Sequence, residues 1–373
     1  MTARPVVGWP DEFARSREDL HAALVLSALL GITPRRLLEL AVQHGTASVV
    51  LAEIREGRAG SEGDREHART LDPVGIAAAA HGCGARLVAW GSPQYPEQLR
   101  HLPDPPAILY VIGRALPDRP SAVAVVGSRS CSELGRELGR EIGRALGSAG
   151  VTVVSGAARG IDAAAHEGAL DGGGTTLAVL GCGVDVEYPR RGRALLDRIR
   201  AHGTLVSELA PGTPPVPRNF PARNRIVAGL CGATVVVEGA GGSGSMITAE
   251  HAMEFGRDVY AVPGPVTSAL SEVPLRLLRD GATLIRGPED LLEDLGLERG
   301  QAPLPGLGEL TPDERRALER LTGPTLPDRL AAELGTGVAE TVGVLMRLEL
   351  RGLVRVAGGR YEPTLGGARA VSG

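Results

Sequence analysis

Four short segments of the sequence combine glycine, hydroxyl residues and arginine in the way that phosphate-binding sites do. Glycine lets the backbone come close to a ligand, N–H groups at a helix start attract an anion, and a guanidinium group donates paired hydrogen bonds to phosphate oxygens. The residues that carry this pattern are Gly127, Ser128 and Arg129 in the first segment, Arg159 and Gly160 in the second, Phe220, Arg223, Asn224 and Arg225 in the third, and Ser243, Gly244 and Ser245 in the fourth. Together they predict a binding site for a polyanion.

The charge of the chain restricts what kind of anion site this is. The formal net charge is −4 at pH 7, so the surface as a whole does not attract polyanions, and such a site needs a local concentration of arginine. Residues 218–231 contain three arginines and no carboxylate. All 40 basic residues of the chain are arginine, which excludes a Walker A phosphate loop, a lysine Schiff base and a kinase-type lysine.

One aromatic residue lies inside this arginine-rich segment. Phe220 is one of only ten aromatic residues in the chain, and it stands between Arg218 and Arg223. An aromatic ring flanked by arginines can stack on a base while the arginines hold the backbone, an arrangement typical of proteins that bind single strands. A ring buried under its own loop is equally compatible with the sequence.

A dinucleotide cofactor is the main competing ligand for such loops, but its fingerprint is absent. After the first predicted strand the sequence is GSRSCSELG instead of G-x-G-x-x-G, and the next strand ends at Ser155 without an acid to bind a ribose. The segment LGCGVDV offers two of the glycines, but Val186 stands where the third would be. We therefore expect no cofactor.

Residues that could catalyse a reaction or bind a metal do not form a recognisable set. Asp162 and His166 are four residues apart on one predicted helix, where His166 could act as a base. The favoured interpretation is structural, in which Asp162 caps free N–H groups at the helix start and His166 bonds to Asp162. The cysteines lie about fifty residues apart without a C-x-x-C pair, which predicts reduced thiols and no metal site. We expect no enzymatic activity.

The elements that must position the four segments are strands alternating with helices. Seven runs rich in β-branched residues are separated by helical segments; the runs cover 122–126, 151–155, 175–180, 204–207, 233–238, 258–262 and 282–285. Near-continuous apolar strands of this kind predict a parallel sheet covered on both faces. Loops at the carboxyl ends of such strands converge, so the four segments should form one crevice.

The whole chain divides into several predicted parts. We predict a small helical domain over 1–80, a connector packed on the core over 81–120, a Rossmann-like domain over 121–297, a linker over 298–309 and a winged-helix domain over 310–366. The fold class is α/β, with an extended Rossmann-like parallel sheet as its core. No apolar run is long enough to span a bilayer and the N-terminus lacks a signal-peptide core, so we expect a cytoplasmic protein without membrane contact.

The same loops resemble those of the DNA-processing protein A (DprA, also called Smf) family. The resemblance rests on VVGSR, VSGAARGIDAAAHEGAL, LAVLGCGVDVEYP, SELAPGTPPVPRNFPARNRIVAGL and VVVEGAGGSGSMITAEHAMEFGRDVYAVPG, in that order. These motifs are specific and span about 121–287, and YPEQL and PPAILYVIG upstream look similar too. A front helical domain, SAM-like or helix-hairpin-helix-like, and a winged helix behind complete the resemblance over practically the whole chain. Gly242 stands where family members often have a lysine.

The resemblance implies a protein whose Rossmann-like domain binds single-stranded DNA. It also implies a homodimer that loads the RecA recombinase during natural transformation or related recombination. Carried over by position, the residues named at the outset match two phosphate loops, an F-P-x-R-N-R segment and an S-G-S turn of the family. No catalytic residue is carried over.

Two alternatives from other functional classes stay open. The segment GGSGSMITAE distantly resembles the phosphate loop of nucleoside-monophosphate phosphoribohydrolases, although its spacing to Glu250 is two residues too long. A transcription regulator would instead recognise duplex DNA through its winged helix. Residues 310–363 contain 8 arginines and 8 acids, so their charge does not indicate DNA binding, and contact with a protein or a regulatory role is favoured over DNA contact.

Overall fold

The computed structural model describes residues 8–29, 31–117, 122–297, 310–321, 323–351 and 353–363. They belong to two compact units, residues 1–300 and residues 301–373, each with its own hydrophobic core. The predicted linker over 298–309 lies outside the described residues.

The described front part of the first unit consists of short helices. They are α1 (Arg17–Ser27), α2 (Pro34–His44), α3 (Ala47–Arg55), α4 (Glu62–Thr70) and α5 (Pro73–Gly82). A serine, threonine or aspartate precedes each helix and accepts a hydrogen bond from an amide of its first turn; these residues are Ser16, Thr33, Thr46, Ser61 and Asp72. Such caps satisfy N–H groups that a helix leaves unpaired, which explains why the chain forms several short helices here. The predicted helical part is confirmed.

Within the described residues, no single helix has the length and apolar composition needed to cross a membrane. The helices α2 and α3 meet those two criteria only as a pair, and the chain bends by 106° between them. Both contribute to the core of the first unit, since Leu38 and Ala41 of α2 and Val50 and Ile54 of α3 are buried.

A nine-stranded sheet forms the centre of the first unit. Its strands are β1 (Arg86–Ala89), β2 (Ile108–Gly113), β3 (Ala122–Val126), β4 (Thr152–Ser155), β5 (Thr176–Val179), β6 (Thr204–Ser207), β7 (Ala233–Val236), β8 (Asp258–Ala261) and β9 (Thr283–Leu284). They lie in the order β1-β2-β6-β5-β4-β3-β7-β8-β9. All pairs from β6 to β9 are parallel, whereas β1 pairs with β2, and β2 with β6, in antiparallel fashion. The predicted, mostly parallel α/β core is confirmed.

The strands β1 and β2 come from the segment 81–120, which we predicted to be a connector packed on the core. This segment extends the sheet itself, and Tyr110 of β2 lies opposite Ser207 of β6. Two prolines, Pro105 and Pro106, precede β2 at positions outside the hydrogen-bonded ladder, where proline is tolerated.

Further helices cover the sheet. They are α6 (Glu97–Arg100), α7 (Glu133–Ser148), α8 (Ile161–Asp171), α9 (Arg193–His202), α10 (Asn219–Gly229), α11 (Gly244–Glu254), α12 (Glu272–Arg279) and α13 (Pro288–Asp294). The helices α7 and α8 approach closely because glycines of α7 face the backbone of α8: a Cβ at Gly147 would lie 2.6 Å from the carbonyl oxygen of Ala169. At the other end of α8, a Cβ at Gly127 would lie 2.5 Å from Ile161, so glycine also lets the start of α8 approach the end of β3.

The second unit is a winged helix in its described residues. It contains α14 (Pro312–Arg320), α15 (Pro327–Leu334), α16 (Val338–Leu350), β10 (Val354–Ala357) and β11 (Arg360–Pro363). The hairpin turns at Gly358 and Gly359, whose φ angles of 59° and 75° suit a two-residue turn between antiparallel strands. Thr325 pairs with Tyr361 beside the hairpin. The predicted C-terminal winged helix is confirmed.

Candidate nucleic-acid interface

Three of the four predicted segments follow parallel strands at the carboxyl edge of the sheet. Residues 127–129 follow β3, Arg159 and Gly160 follow β4, and residues 243–245 follow β7. The strands β5, β4, β3 and β7 are consecutive neighbours, so the loops after them lie side by side in that order. Ligands of open α/β sheets bind outside this edge.

The loops after β3 and β4 pack against each other through their backbones. The amide of Ile161 donates a hydrogen bond to the carbonyl of Ser128 over 3.2 Å. Gly160 has a φ of 82°, and a Cβ at this position would collide with the Ser128 carbonyl oxygen. Glycine is therefore required at 160, and the contact holds both loops so that Arg129 and Arg159 lie exposed at the surface.

A cleft of about 410 Å³ opens between the loops after β3, β4 and β5. Its lining includes four arginines and one carboxylate, namely Arg129, Arg136, Arg159, Arg191 and Glu167. Arg129, Arg159 and Arg191 are exposed, and no described carboxylate lies within 4 Å of their guanidinium groups. A concave surface lined mainly by one sign of charge attracts ligands of the opposite sign, here anions.

A buried carboxylate, Asp162, holds the loop after β4 in shape. It accepts hydrogen bonds from the amides of Gly156 and Ala158 over 3.1 and 3.3 Å. Burial raises the pKa of the Asp162 carboxyl, although the nearby Arg223 guanidinium acts in the opposite direction. We predicted that Asp162 caps free N–H groups at the start of its helix. In the structure it binds amides of the preceding loop.

His166 does not bond to Asp162, contrary to our prediction. Its Nδ1 lies 2.6 Å from Thr176 Oγ1, and the Thr176 hydroxyl donates to the Val153 carbonyl, so the ring N–H donates to Thr176. The imidazole is completely buried, and burial, assisted by Arg223, lowers its pKa to about 3. His166 is therefore a neutral core residue, out of reach of a ligand in the cleft.

The third predicted segment belongs to a helix, which corrects our prediction of a loop. Residues 220–225 lie within α10, and Pro221 falls in its first turn, where a helix needs no N–H from proline. This helix connects β6 to β7, which are separated in the sheet by β5, β4 and β3. Because β6 and β7 are parallel, α10 begins at the carboxyl edge and runs back along one face of the sheet, so only its first turns lie beneath the loops that form the cleft.

Two residues of α10 bind the loops from inside the protein. Arg223 is 4% exposed, and its Nη1 donates to the carbonyls of Gly156, over 2.8 Å, and Val179. Burial lowers the pKa of Arg223 to about 10, so it stays charged at neutral pH. Asn224 Nδ2 donates to the Gly244 carbonyl over 3.1 Å. Arg223 thereby joins the loops after β4 and β5, and Asn224 reaches the segment after β7.

Arg225 forms a buried ion pair. It is 3% exposed, and its two terminal nitrogens donate to the Glu208 carboxylate over 2.8 and 2.7 Å. Its Nε lies 3.1 Å from Asp104 Oδ2. Direct phosphate contact by Arg223 or Arg225 would require these internal bonds to break. The partners of Arg225 lie 17 and 121 residues away along the chain. The absence of acids from residues 218–231 therefore did not reveal that Arg225 is paired.

Phe220 connects α10 to the cleft. Its ring centroid lies 5.2 Å from that of Tyr188, and the guanidinium carbon of Arg129 lies 5.6 Å from the Phe220 centroid. The second distance is within the range of a cation–π contact. Phe220 is half-buried against Gly181, whereas Tyr188 is 39% exposed. An aromatic pair thus borders the arginine-lined cleft.

The S-G-S turn starts α11. The Ser243 hydroxyl accepts a hydrogen bond from the Ser245 amide over 3.3 Å and lies 2.8 Å from the Ser245 hydroxyl. Ser245 is buried, Ser243 is half-buried and Gly244 is exposed. The turn lies at the same edge as the cleft but does not line it. Its connection to the other segments is the Asn224 hydrogen bond.

The helix start that usually holds a dinucleotide phosphate is filled by the protein itself. In dinucleotide-binding sheets the phosphate lies at the helix after the first strand, here α7 after β3. Glu238, at the end of β7, accepts hydrogen bonds from the Ser132 amide over 2.8 Å and the Ser132 hydroxyl over 2.6 Å at that position. Gly135 makes the space, since a Cβ there would collide with the Glu238 carboxylate. This carboxylate would repel a phosphate, in agreement with the missing fingerprint.

Two residues at this interface were not predicted from the sequence. Neither Arg191 nor Tyr188 was among the residues assigned to the anion site. Both follow β5, and the rule that loops after parallel strands share one edge could have found them. The predicted segments were those in which glycine and arginine lie close together. In the loop after β5 the arginines come later, after Pro189, so they were missed.

Two arginines in and next to α16, the helix at the recognition-helix position of the second unit, form ion pairs within that unit. Arg347 Nε and Arg351 Nη1 lie 3.6 and 2.7 Å from the carboxylate of Glu314, which is 3% exposed. Internal pairing of these cations leaves less positive charge for phosphates. Contact of this domain with a protein stays a prediction.

Within the described ranges, no group of three or more His, Cys, Asp or Glu side chains could hold a metal ion. The four cysteines are free thiols. Cys131 lines the cleft, and burial, with a contribution from Glu238, raises the pKa of its thiol. A raised pKa makes that thiol a poor nucleophile.

Comparisons with known proteins agree on one family. Residues 86–296 match the sequence model described as DNA recombination-mediator protein A, and residues 301–360 match the DprA winged helix domain. The putative DNA processing protein DprA of Mycobacterium tuberculosis is 40% identical over 305 residues, which are 79% of this chain and 75% of that protein. Protein Smf of Escherichia coli is 39% identical over 287 residues, covering 74% of this chain and 76% of that protein.

Solved structures lead to the same family. DNA processing protein A from Streptococcus pneumoniae superimposes with a TM-score of 0.63 at 33% identity, covering 75% of this chain and 98% of that one. DNA processing protein A from Helicobacter pylori, studied for its single-stranded DNA binding mode, gives a TM-score of 0.52 at 27% identity, covering 57% of this chain and 97% of that one. With one family model covering more than half of its length, the chain belongs to the DNA recombination-mediator protein A (DprA/Smf) family.

Proposed function

We propose that this protein binds single-stranded DNA along the carboxyl edge of its sheet and acts in DNA recombination without catalysing a reaction itself. The observation that carries the proposal is the cleft in which Arg129, Arg159 and Arg191 are exposed and lack described carboxylate partners. The rings of Tyr188 and Phe220 lie at its border. Guanidinium groups bind phosphates, and exposed rings stack on the unpaired bases of a single strand. The single-stranded DNA binding mode described for the Helicobacter pylori relative supports this assignment.

The order of the strands suggests the path of the DNA. Neighbouring strands of a sheet lie about 4.8 Å apart, so the exposed arginines follow one another along the edge as Arg191, Arg159 and Arg129. Beyond them lies the start of α11, with Ser243 and Gly244, where free N–H groups favour a further phosphate. The buried residues of α10 hold this edge in shape beneath the strand.

Replacing Arg129 tests the proposal. Arg129→Ala should weaken the binding of a single-stranded oligonucleotide by about tenfold or more at low salt, because a charge-assisted phosphate contact is lost. The slope of log affinity against log salt concentration should also become shallower by about 0.7, the share of one phosphate on a single strand. Fluorescence anisotropy of labelled oligo(dT) over a salt series measures both quantities.

Arg193→Ala is the matched control. Arg193 is also exposed, but its Nε lies 3.3 Å from Glu187 and 3.9 Å from Asp197, and it does not line the cleft. This variant should bind like the parent. A folded Arg129→Ala protein with parental affinity would contradict the proposal, and equal binding of duplex DNA of the same length would contradict base stacking.

We further propose that the protein works in the cytoplasm as a homodimer that passes the strand to a RecA recombinase during transformation or related recombination. Membership of the recombination-mediator family supports this part. The protein should speed the assembly of RecA on DNA coated with single-strand-binding protein, and Arg129→Ala should not. Light scattering checks the dimer; a monomer at all concentrations, or unchanged RecA assembly, would contradict the corresponding part.

A further inference from the structure

The segment after β5 forms one wall of the cleft. Pro189, Arg191 and Gly192 line the same space as Arg129 and Arg159, which belong to the loops after β3 and β4. Because β5 is the neighbour of β4 on the side away from β3, this wall marks one end of the arginine row. A ligand that follows the row therefore meets this segment at its end.

Tyr188 precedes Pro189 and presents an exposed aromatic ring beside this wall, just outside the lining of the cleft. Its ring is 39% exposed, and its one aromatic contact in the described residues is Phe220, at 5.2 Å with the ring planes tilted by 42°. Phe220 has less free surface, because it packs against Gly181 and lies near the Arg129 guanidinium. Of the two rings, Tyr188 is thus the one with room for a base, and Phe220 supports it.

The two neighbouring arginines of this segment differ in their partners. Arg193 is paired with Glu187 and Asp197, at 3.3 and 3.9 Å. Arg191 lines the cleft, is exposed and has no described carboxylate within 4 Å. An exposed guanidinium without a carboxylate partner pays no cost of breaking an ion pair when it binds a phosphate.

We propose that Tyr188 and Arg191 form one nucleotide subsite, in which the tyrosine ring stacks on a base and the arginine binds the adjoining phosphate. This subsite lies at the β5 end of the row of arginines and rests on the proposed function of the cleft. It transfers the role of stacking platform from Phe220 to Tyr188. It also adds a phosphate contact outside the glycine-rich loops.

Substitutions at the two positions separate stacking from charge. Tyr188→Ala should weaken binding of oligo(dT) by about 5- to 100-fold at every salt concentration, because stacking of one base is lost. Its log–log salt slope should equal that of the parent, since no cation is removed. Tyr188→Phe keeps the ring and should bind like the parent. Arg191→Ala should make the slope shallower by about 0.7, whereas Arg193→Ala should leave it unchanged.

Two further measurements keep the proposal testable if a variant folds poorly. Tyr188→Leu keeps apolar bulk against Phe220 without an aromatic face, so it should fold like the parent by circular dichroism yet bind like Tyr188→Ala. An oligonucleotide containing 2-aminopurine should lose fluorescence on binding the parent through stacking, and keep more of it with Tyr188→Leu.

The outcomes distinguish this inference from the proposed function. If Arg129→Ala weakens binding while Tyr188→Leu and Arg191→Ala bind with parental affinity and slope, the subsite is wrong and the cleft still binds DNA. If the parent does not bind single-stranded DNA at all, the proposed function itself fails. Parental affinity and slope in either the Tyr188→Leu or the Arg191→Ala variant overturns the paired subsite as stated.

Discussion

The guanidinium groups of Arg223 and Arg225 lie inside the protein, whereas those of Arg129, Arg159 and Arg191 reach solvent. Burial of a charge is costly unless partners compensate it. Arg225 has the Glu208 carboxylate, and Arg223 donates hydrogen bonds to backbone carbonyls. The two buried arginines therefore stabilise the edge of the sheet, and the three exposed arginines are available to a ligand. These two roles predict different consequences of substitution.

Arg225→Ala should mainly change stability. It would leave the Glu208 carboxylate, with an 11% exposed side chain, and Asp104 without their cation. Removing one partner of a buried ion pair costs about 3–5 kcal/mol of unfolding free energy, measurable by urea denaturation. Arg200→Ala removes an exposed pair with Asp197 and should cost at most about 1 kcal/mol. Equal losses in both variants would contradict the buried-pair assignment.

His166 should make the first unit sensitive to acid. The pKa of an unfolded histidine is about 6.5, and burial lowers that of His166 to about 3. Between these values the unfolded chain binds a proton that the folded chain does not, so the stability present above pH 6.5 is lost as the pH falls. One such residue contributes a slope of up to about 1.4 kcal/mol per pH unit.

Urea denaturation between pH 7 and pH 5 measures this effect. His166→Asn should reduce the loss of stability over that range, whatever its stability at neutral pH. His202→Asn, at an exposed position, is the control for the loss of a histidine as such. An unchanged slope in His166→Asn would show that His166 is not the residue responsible.

At the scale of elements, α10 decides how the loops meet. It begins at the carboxyl edge after β6, and its first two turns place Arg223, Asn224 and Phe220 beside the loops after β5, β4 and β7. The hydrogen bonds of Arg223 and Asn224 go to backbone carbonyls, so these side chains fix the shape of the loops. The cleft thus depends on a helix that does not line it.

The contact between the loops after β3 and β4 gives a prediction at the same scale. Gly160→Ala would place a side chain against the Ser128 carbonyl at a φ of 82°. A residue other than glycine in such a conformation costs about 1–3 kcal/mol, and the collision adds to it, so both stability and binding of single-stranded DNA should fall. Denaturation and anisotropy measure the two effects.

Gly82→Ala provides the comparison for this substitution. Gly82 ends α5, is exposed, and a Cβ there would have no atom within 4 Å. Alanine favours helix over glycine, so this variant should be as stable as the parent or slightly more so. If Gly160→Ala behaved in the same way, the loop contact would not be required.

For the whole molecule, the alternation of apolar strands with helices predicted seven of the nine strands of the sheet, and β1 and β2 were missed. Strand runs such as AVAVV and TLVS depend on local composition, and they appear as β3 and β6. The winged helix followed for the same reason, from amphipathic helices and a Gly-Gly turn. These features are encoded by residues close together in sequence.

Parts of the site depended on distant contacts and were not predictable in this way. The burial of Arg225 depends on Glu208 and Asp104, and the partner of His166 is Thr176 on the next strand. The helical state of residues 220–225 was obscured by Pro221, which is tolerated in a first turn. Motif spacing located the edge of the sheet, but only packing separates its surface residues from its internal supports.

The Glu238 carboxylate at the start of α7 has a consequence for the choice of ligand. A free mononucleotide or dinucleotide cannot place its phosphate at the start of α7, because Glu238 occupies that position. Elsewhere along the sheet edge a single phosphate makes only one weak contact. A polynucleotide makes several phosphate contacts at once, and each contact raises the effective concentration of the next phosphate at its site. The affinity of the cleft for a nucleic acid would then rise with the length of the strand. The small nucleotides of a cell would not compete with DNA for the cleft.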